Sequence, residues 1–201
     1  ATVSAVGQRT PPRSVMAAAS FATKVGARLD QRELTAFLEA NGYSRSGTVM
    51  ERGDYAVRGG VVDLFPPGAE APVRVDMFGD EVDALRAFDP ETQRSEGALE
   101  GLELSPASEA LLTSDTISTF RRNYLETLGR GMDDPVYEAV SAGARIQGME
   151  HWLPLFYEST ETPFSYFGED ALIALDYQAE EAWADRLALI RDYHEARAHA
   201  A

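Results

Sequence analysis

The chain has 201 residues, of which 44% are apolar and 25% charged, so it is long enough for one large hydrophobic core or two small ones. It carries 33 acidic against 18 basic residues, a formal net charge of -15, which disfavours naked nucleic acid as a partner because phosphate binding needs a basic surface. The absence of cysteine excludes disulfides, thiol catalysis and thiolate metal sites.

The first element with strong local signals is a helix that begins after residue 30. Asp30 is predicted to be its N-cap, with Glu33 three residues later as a capping-box partner. Asn41-Gly42 is predicted to end the helix. We expect residues 1–19 to be the end of a truncated preceding domain.

An antiparallel sheet is predicted to follow this helix. Short runs of β-forming residues are separated by turn signals containing glycine, proline and aspartate. The predicted strands are Thr48–Met50, Tyr55–Arg58, Val61–Phe65, Val73–Phe78 and Glu81–Phe88, with a last short strand at Leu102 and Leu104. Gly59-Gly60 interrupts a continuous run, and we interpret it as a bulge that lets Arg58 share the outward face with Asp63.

Phe78 is the unusual residue of this sheet. In the strand that contains it, Val73, Val75 and Met77 alternate with Arg74, Asp76 and Phe78. A large aromatic side chain on the polar face, beside arginines, is typical of a partner-binding surface, since both residue types dominate interface hot spots. The alternative is that Phe78 packs under a neighbouring loop or domain.

The turn at Gly79-Asp80 predicts a register for the hairpin around it. A two-residue loop would place Phe78 opposite Glu81 and Arg74 opposite Leu85, and it would place Asp76 opposite Asp83. Because directly opposed aspartates destabilise a strand pair, we expect Asp63, Asp76 and Asp83 to form a charge network with nearby arginines. Arg58 and Arg74 are nevertheless expected to be exposed, so that replacing either would cost little stability.

From residue 105 onward the pattern becomes mostly helical. A helix is predicted to run from a Ser114 cap to Gly129, and a second one to begin at Asp134-Pro135 and end at Gly143. A buried strand is predicted at Ala171–Leu175, and a last helix at about Gln178 to Ala198. No segment has the length of apolar sequence that a membrane span needs.

Neither a catalytic site nor a cofactor or metal site is predicted. The sequence has no GxxxxGK[ST] phosphate loop, and its three histidines lie far apart with no metal-ligand spacing. The aromatic cluster within residues 152–167 could stack on single-stranded nucleic acid, but the scarcity of basic residues there favours core packing.

Several motifs carry a resemblance to a known family. Arg58–Pro66 has the pattern R-G-x-(V/L)-(V/L)-D-(L/I)-F-P, Arg74–Glu81 has R-(V/L)-(D/E)-x-F-x-D-E, and Phe88–Ser95 has F-D-x-x-(T/S)-Q-R-(S/T). These motifs resemble the bacterial transcription-repair coupling factors, the Mfd family, in their module homologous to the excision-repair protein UvrB. The opening TVSAVGQRTPPRS and the segments Gly148–Pro154 and Phe164–Phe167 extend the resemblance over nearly the whole chain.

The resemblance implies a docking domain for UvrA, the damage-recognition ATPase. The family's contact residues fall on Arg58, Arg74 and Phe78. The resemblance also implies that the parent protein is an ATP-dependent DNA translocase in which a C-terminal domain covers this surface and other domains bind RNA polymerase. This chain is then expected to be non-enzymatic and cytoplasmic, to bind no nucleic acid or membrane directly, and to recruit UvrA to stalled transcription complexes in nucleotide excision repair.

The predicted fold class is therefore α+β. A small antiparallel sheet domain with one helix, residues 20–104, is expected between the end of a preceding domain, 1–19, and the mostly helical remainder of a UvrB-like domain, 105–201. Two alternatives stay open. The chain could be a piece of UvrB or of a UvrB-like ATPase that handles damaged DNA, or a purely structural module whose polar face packs within its own parent.

Overall fold

A computed structural model describes residues 1–129 and 134–200, with side chains described up to residue 196. The helices are α1 (Val3–Val6), α2 (Arg13–Ala18), α3 (Gln31–Ala40), α4 (Ser114–Leu128), α5 (Pro135–Ser141) and α6 (Ala179–Ala200), with two 3₁₀ helices at Met149–Leu155 and Pro163–Tyr166. The strands are β1 (Phe21–Lys24), β2 (Ser44–Arg45), β3 (Asp54–Arg58), β4 (Val61–Leu64), β5 (Val73–Phe78), β6 (Glu81–Phe88), β7 (Ser95–Leu99) and β8 (Gly101–Leu104). The predicted α+β class is confirmed.

The strands form two sheets. The larger has the order β2-β3-β4-β5-β6-β7 and is antiparallel throughout, except that β2 runs parallel to β3. The smaller pairs β1 with β8 in antiparallel register. The strand predicted at Leu102 and Leu104 is confirmed, whereas β1, β2 and β7 were not predicted.

The first hydrophobic core lies between α3, the small sheet and one face of the large sheet. Leu34 and Leu38 of α3 pack there with Leu102 and Leu104 of β8 and with the inward side chains of the large sheet. Alternation along β5 directs Val73 and Val75 into this core, and the opposite set of side chains away from it. The face that points away from α3 is called the outer face below.

Local signals set both ends of α3. The Asp30 carboxylate accepts hydrogen bonds from the backbone N–H groups of Arg32 and Glu33, so the predicted N-cap is confirmed. After Ala40 the chain turns at Gly42, which has a φ of 91°. A Cβ at Gly42 would lie 2.4 Å from that of Ser108, so glycine is also required by the close approach of the following segment.

Two of the predictions for the sheet are wrong. Thr48–Met50 is a loop, in which the N–H groups of Met50 and Glu51 donate to the Asp54 carboxylate and Val49 is buried against the outer face. Gly59-Gly60 is a two-residue turn between paired Arg58 and Val61, with Gly59 at a φ of 60°. From sequence alone, a glycine pair in a turn is hard to distinguish from one in a bulge, and an apolar residue in a loop from one in a strand. The difference depends on tertiary contacts.

The second hydrophobic core is formed by the helical part of the chain. Phe120 and Tyr124 of α4 pack with Val140 of α5 and with aromatic and aliphatic side chains of the first 3₁₀ helix and the residues after it. The α4 N-cap is Thr113, one residue before the predicted Ser114. Asp134 caps α5 as predicted.

The segment before α6 differs most from its prediction. Ala171–Leu175, expected to be a buried strand, is not assigned to a strand, and Leu172 is fully exposed. A run of consecutive apolar residues fits a strand that is covered on both faces, but no strand of the described residues lies alongside this one.

Candidate protein-interaction surface

The outer face changes character from one end to the other. At one end Val49, Ala56, Phe65 and Phe88 form a small buried apolar cluster. Charged side chains from β3, β4, β5 and β6 occupy the middle. At the other end the β5–β6 hairpin projects, with Phe78 as its last residue before the turn. The surface therefore combines a fixed apolar base, a charge network and an exposed aromatic ring.

The charge network is centred on Asp63, whose side chain is only 2% exposed. Arg74 donates to both of its carboxylate oxygens, through Nε at 2.7 Å and Nη2 at 2.9 Å. Arg58 donates to it through Nη1 at 3.3 Å, and Nη2 of Arg58 donates to the Gly47 carbonyl at 2.6 Å. The buried carboxylate is thus compensated by two guanidinium groups, which is what makes its burial tolerable.

Three neighbours hold Arg74 in place: Asp63, Phe88 and Gln93. Its guanidinium carbon lies 4.9 Å from the centre of the Phe88 ring, a cation–π contact, and its Nη1 donates to the Gln93 carbonyl at 3.4 Å. The hydrogen bonds to Asp63 raise the pKa of the Arg74 guanidinium above its usual value. Its side chain is 20% exposed. The expectation that Arg74 is an exposed charge is therefore wrong, because Asp63 and Phe88 hold it against the sheet.

A bulge at Asp83 changes the register of the β5–β6 hairpin. Phe78 pairs with Glu81 as predicted, but Asp76 pairs with Ala84 and Arg74 pairs with Arg86. The predicted pairs of Asp76 with Asp83 and of Arg74 with Leu85 are wrong. The extra residue keeps two aspartates from lying directly opposite each other, which would have been unfavourable.

The same bulge brings Arg86 beside Asp76, with which it forms a hydrogen-bonded ion pair. Asp83 itself is exposed and makes no ion pair with any residue that the structure describes. Of the three aspartates predicted as a network, Asp63 and Asp76 are thus paired with arginines and Asp83 is not.

Phe78 is 83% exposed, so the outward position predicted from strand alternation is confirmed. The hairpin that carries it is anchored by the segment before α3. The N–H of Leu29 donates to the Asp80 carbonyl at 2.8 Å, the N–H of Val82 donates to the Ala27 carbonyl at 2.9 Å, and Arg28 forms an ion pair with the Asp80 carboxylate. The ring is consequently presented on a fixed backbone rather than on a free loop.

The turn between β3 and β4 lies against the same hairpin. The N–H of Met77 donates to the Gly60 carbonyl at 2.8 Å, and a Cβ at Gly60 would lie 2.8 Å from the Met77 carbonyl oxygen. The Gln31 side chain donates to the Gly59 carbonyl at 2.7 Å. This close approach places the end of β3, with Arg58, at the same end of the sheet as Phe78.

The sequence-predicted residues Arg58, Arg74 and Phe78 therefore all lie on the outer face, where Asp63 joins the two arginines. Two residues of this face were missed. Arg86 could have been found from its alternation with the buried Leu85, whereas Gln93 gave no local signal. Gln93 has a φ of 61°, and its side-chain amide donates to the carbonyls of Val49 and Pro90, closing the loop over the apolar end.

No group of three or more metal-ligating side chains occurs in the part of the chain that the structure describes. Among the described residues, no helix is both long and apolar enough to cross a membrane. The outer face carries an exposed aromatic ring at one end and, along the same strands, guanidinium groups that are paired with carboxylates.

Comparison with known proteins gives a consistent picture. The family model described as the UvrB interaction domain matches residues 21–109. The transcription-repair-coupling factor of Escherichia coli (strain K12) is 38% identical over 192 residues, covering 92% of this chain and 17% of that protein. The same-named protein of Haemophilus influenzae is 37% identical, covering 92% of this chain and 16% of its own length, and that of Bacillus subtilis is 28% identical, covering 88% and 16%.

The chain thus spans about a sixth of the length of the curated relatives it matches. The matched family region includes β1, α3, the whole large sheet and β8. Residues 21–109 therefore belong to the UvrB interaction domain family, within a chain that is related over most of its length to the transcription-repair-coupling factors.

Proposed function

We propose that this chain is a non-enzymatic adaptor that docks the excision-repair protein UvrA through the outer face of its large sheet. In nucleotide excision repair the adaptor would recruit UvrA to stalled transcription complexes. The observation that carries the proposal is Phe78, an aromatic ring 83% exposed on an anchored hairpin within the matched family region. An aromatic side chain in this setting leaves water only when a partner covers it.

We propose residues 20–104 as the docking unit, with residues 1–19 and 105–201 as parts of the surrounding parent domain. The separate hydrophobic core between α3 and the sheets supports this division. The sequence has no phosphate loop, so the ATP-dependent translocation implied for the parent protein would depend on residues other than these.

The roles of the three site residues follow from their surroundings. Phe78 would insert into an apolar pocket of UvrA and supply buried apolar area at the centre of the contact. Arg58, whose side chain is 49% exposed, would donate to a carboxylate of UvrA. Arg74, held by Asp63, would present its remaining exposed edge and fix the position of its neighbours.

Binding of purified UvrA to the wild-type chain and to Phe78→Ala tests the proposal. Because the ring is exposed, we expect the variant to lose less than about 1 kcal/mol of unfolding free energy. We expect it to bind UvrA at least about thirtyfold more weakly, as for an aromatic anchor. Calorimetric titration and thermal melts measure the two quantities.

Tyr177→Ala is the matched control, since Tyr177 is also an exposed aromatic residue, at 89%, but lies far along the chain outside the matched region. It should bind UvrA like the wild type. Unchanged binding by Phe78→Ala would contradict the assignment of this face. A salt-sensitive gel shift of the wild-type chain with duplex DNA would instead favour the DNA-handling alternative.

A further inference from the structure

The hydrogen bonds of the outer face divide its arginines into those that are satisfied internally and those that are not. A guanidinium recognises a carboxylate best with two parallel N–H donors, and its Nε–Nη2 edge provides such a pair. In Arg74 both atoms of this edge donate to Asp63, and Nη1 donates to Gln93. The Nε–Nη2 edge of Arg74 is therefore not available to a partner.

Arg86 is in the opposite situation. Its Nη1 donates to Asp76, and neither its Nε nor its Nη2 has a hydrogen bond to a described residue. Its side chain is 44% exposed, compared with 20% for Arg74, which lies directly opposite it across the strand pair. The ion pair with Asp76 restricts the side chain while leaving its two-donor edge open.

The bulge at Asp83 is what places Arg86 there. Without it, Arg74 would lie opposite Leu85, and Arg86 would point to the core face of the sheet. With it, Arg86 shares the outer face with Phe78 and Arg58. One unpaired residue in β6 thus places a third arginine on the face that carries Phe78.

We infer that Arg86 is a further contact residue of the docking face and that its Nε–Nη2 edge binds an aspartate or glutamate side chain of the partner. The inference rests on the proposed function, because it concerns the same face. It specifies the chemistry of the partner surface: an apolar pocket for Phe78 with carboxylates at its rim, one for Arg58 and one for Arg86.

Titrating UvrA against Arg86→Ala, Arg86→Lys and Arg121→Ala tests the inference. Arg121 is an exposed arginine of α4, outside the face, and serves as the matched control. We expect Arg86→Ala to weaken binding at least about tenfold with a melting temperature near that of the wild type. Lysine keeps the charge and can still pair with Asp76 but lacks the two-donor edge, so Arg86→Lys should remain several-fold weaker than the wild type.

Wild-type affinity in either Arg86→Ala or Arg86→Lys would overturn the inference, as would an equal loss in Arg121→Ala. Phe78→Ala in the same series distinguishes the role of Arg86 from the proposed function of the face. If Phe78→Ala binds weakly while Arg86→Ala binds normally, only the role of Arg86 fails. If the wild-type chain does not bind UvrA at all, the proposed function fails.

Discussion

Asp63 determines which hydrogen-bond donors of the neighbouring arginines are occupied within the chain. A carboxylate that is 2% exposed needs donors close to it, and Arg74 supplies two while Arg58 supplies one longer bond. The sequence places all three on one sheet, but it does not say which arginine the carboxylate binds. In the folded chain Arg74 is the closer donor, and its guanidinium also lies over the Phe88 ring, 4.9 Å from the ring centre.

Replacing Arg74 should therefore affect folding as well as binding. Arg74→Ala leaves Asp63 buried with one weak donor, and we expect it to lower the unfolding free energy by about 3 kcal/mol. Arg58→Ala removes a longer, half-exposed contact with Asp63 and a hydrogen bond to the Gly47 carbonyl, and it should cost only about 1 kcal/mol. Urea unfolding of both variants checks the difference. Equal, small losses would mean that water replaces Arg74 at the carboxylate.

At the scale of elements, the two hairpins at the Phe78 end of the sheet support each other. The β3–β4 turn accepts a hydrogen bond from Met77, and the segment before α3 bonds to the β5–β6 turn. The Phe78 end of the outer face is thus held by hydrogen bonds from a turn and from the segment before α3, in addition to the strand pairing. A substitution in the β3–β4 turn should therefore affect the β5–β6 hairpin.

Gly60→Ala tests this coupling. The added Cβ would lie 2.8 Å from the Met77 carbonyl oxygen, so the turn must move away from β5, and we expect a loss of about 1–3 kcal/mol in unfolding free energy. Gly68→Ala is the control, because a Cβ at Gly68 meets nothing within 4 Å. Hydrogen exchange of the β5–β6 hairpin should increase in the first variant only. Similar stability in both would show that the turn adapts without strain.

For the whole molecule, each of the two cores contains a tyrosine with a raised pKa. Burial and the hydrogen bond to Glu39 raise the pKa of Tyr55 to about 12, and burial raises the pKa of Tyr157 to about 12. An unfolded tyrosine titrates near pH 10. Both side chains thus remain neutral in the folded state over a range in which the unfolded chain ionises.

The stability linked to these two tyrosines should therefore be fully present below about pH 10. It should be lost progressively as the pH rises toward about 12, because only the unfolded chain ionises in this range. Tyr55→Phe loses a hydrogen bond to Glu39, so it should be somewhat less stable than the wild type at pH 8. It cannot ionise at that position, and its stability should fall less steeply between pH 10 and pH 12. Urea midpoints across this range measure both effects. Parallel curves for the two proteins would contradict the assignment of the alkaline loss to Tyr55.

Much of the fold follows from patterns that are local in the sequence. The Asp30 cap of α3, the bounds of β5 and β6 and the outward position of Phe78 were all predicted, because capping and strand alternation depend on residues only a few positions apart. The motifs around Arg58, Arg74 and Phe88 likewise pointed to the family that the comparisons show for residues 21–109.

What only the tertiary structure decided depends on neighbours that are distant in the sequence. The bulge at Asp83, the capture of Arg74 by Asp63 and the pairing of β1 with β8 each result from contacts between segments that the local pattern does not relate. The apolar run Ala171–Leu175 makes the same point, since its sequence describes a strand but no described strand lies beside it. Periodicity fixes which way a side chain points, whereas its partner is fixed by the free energy of packing the whole chain.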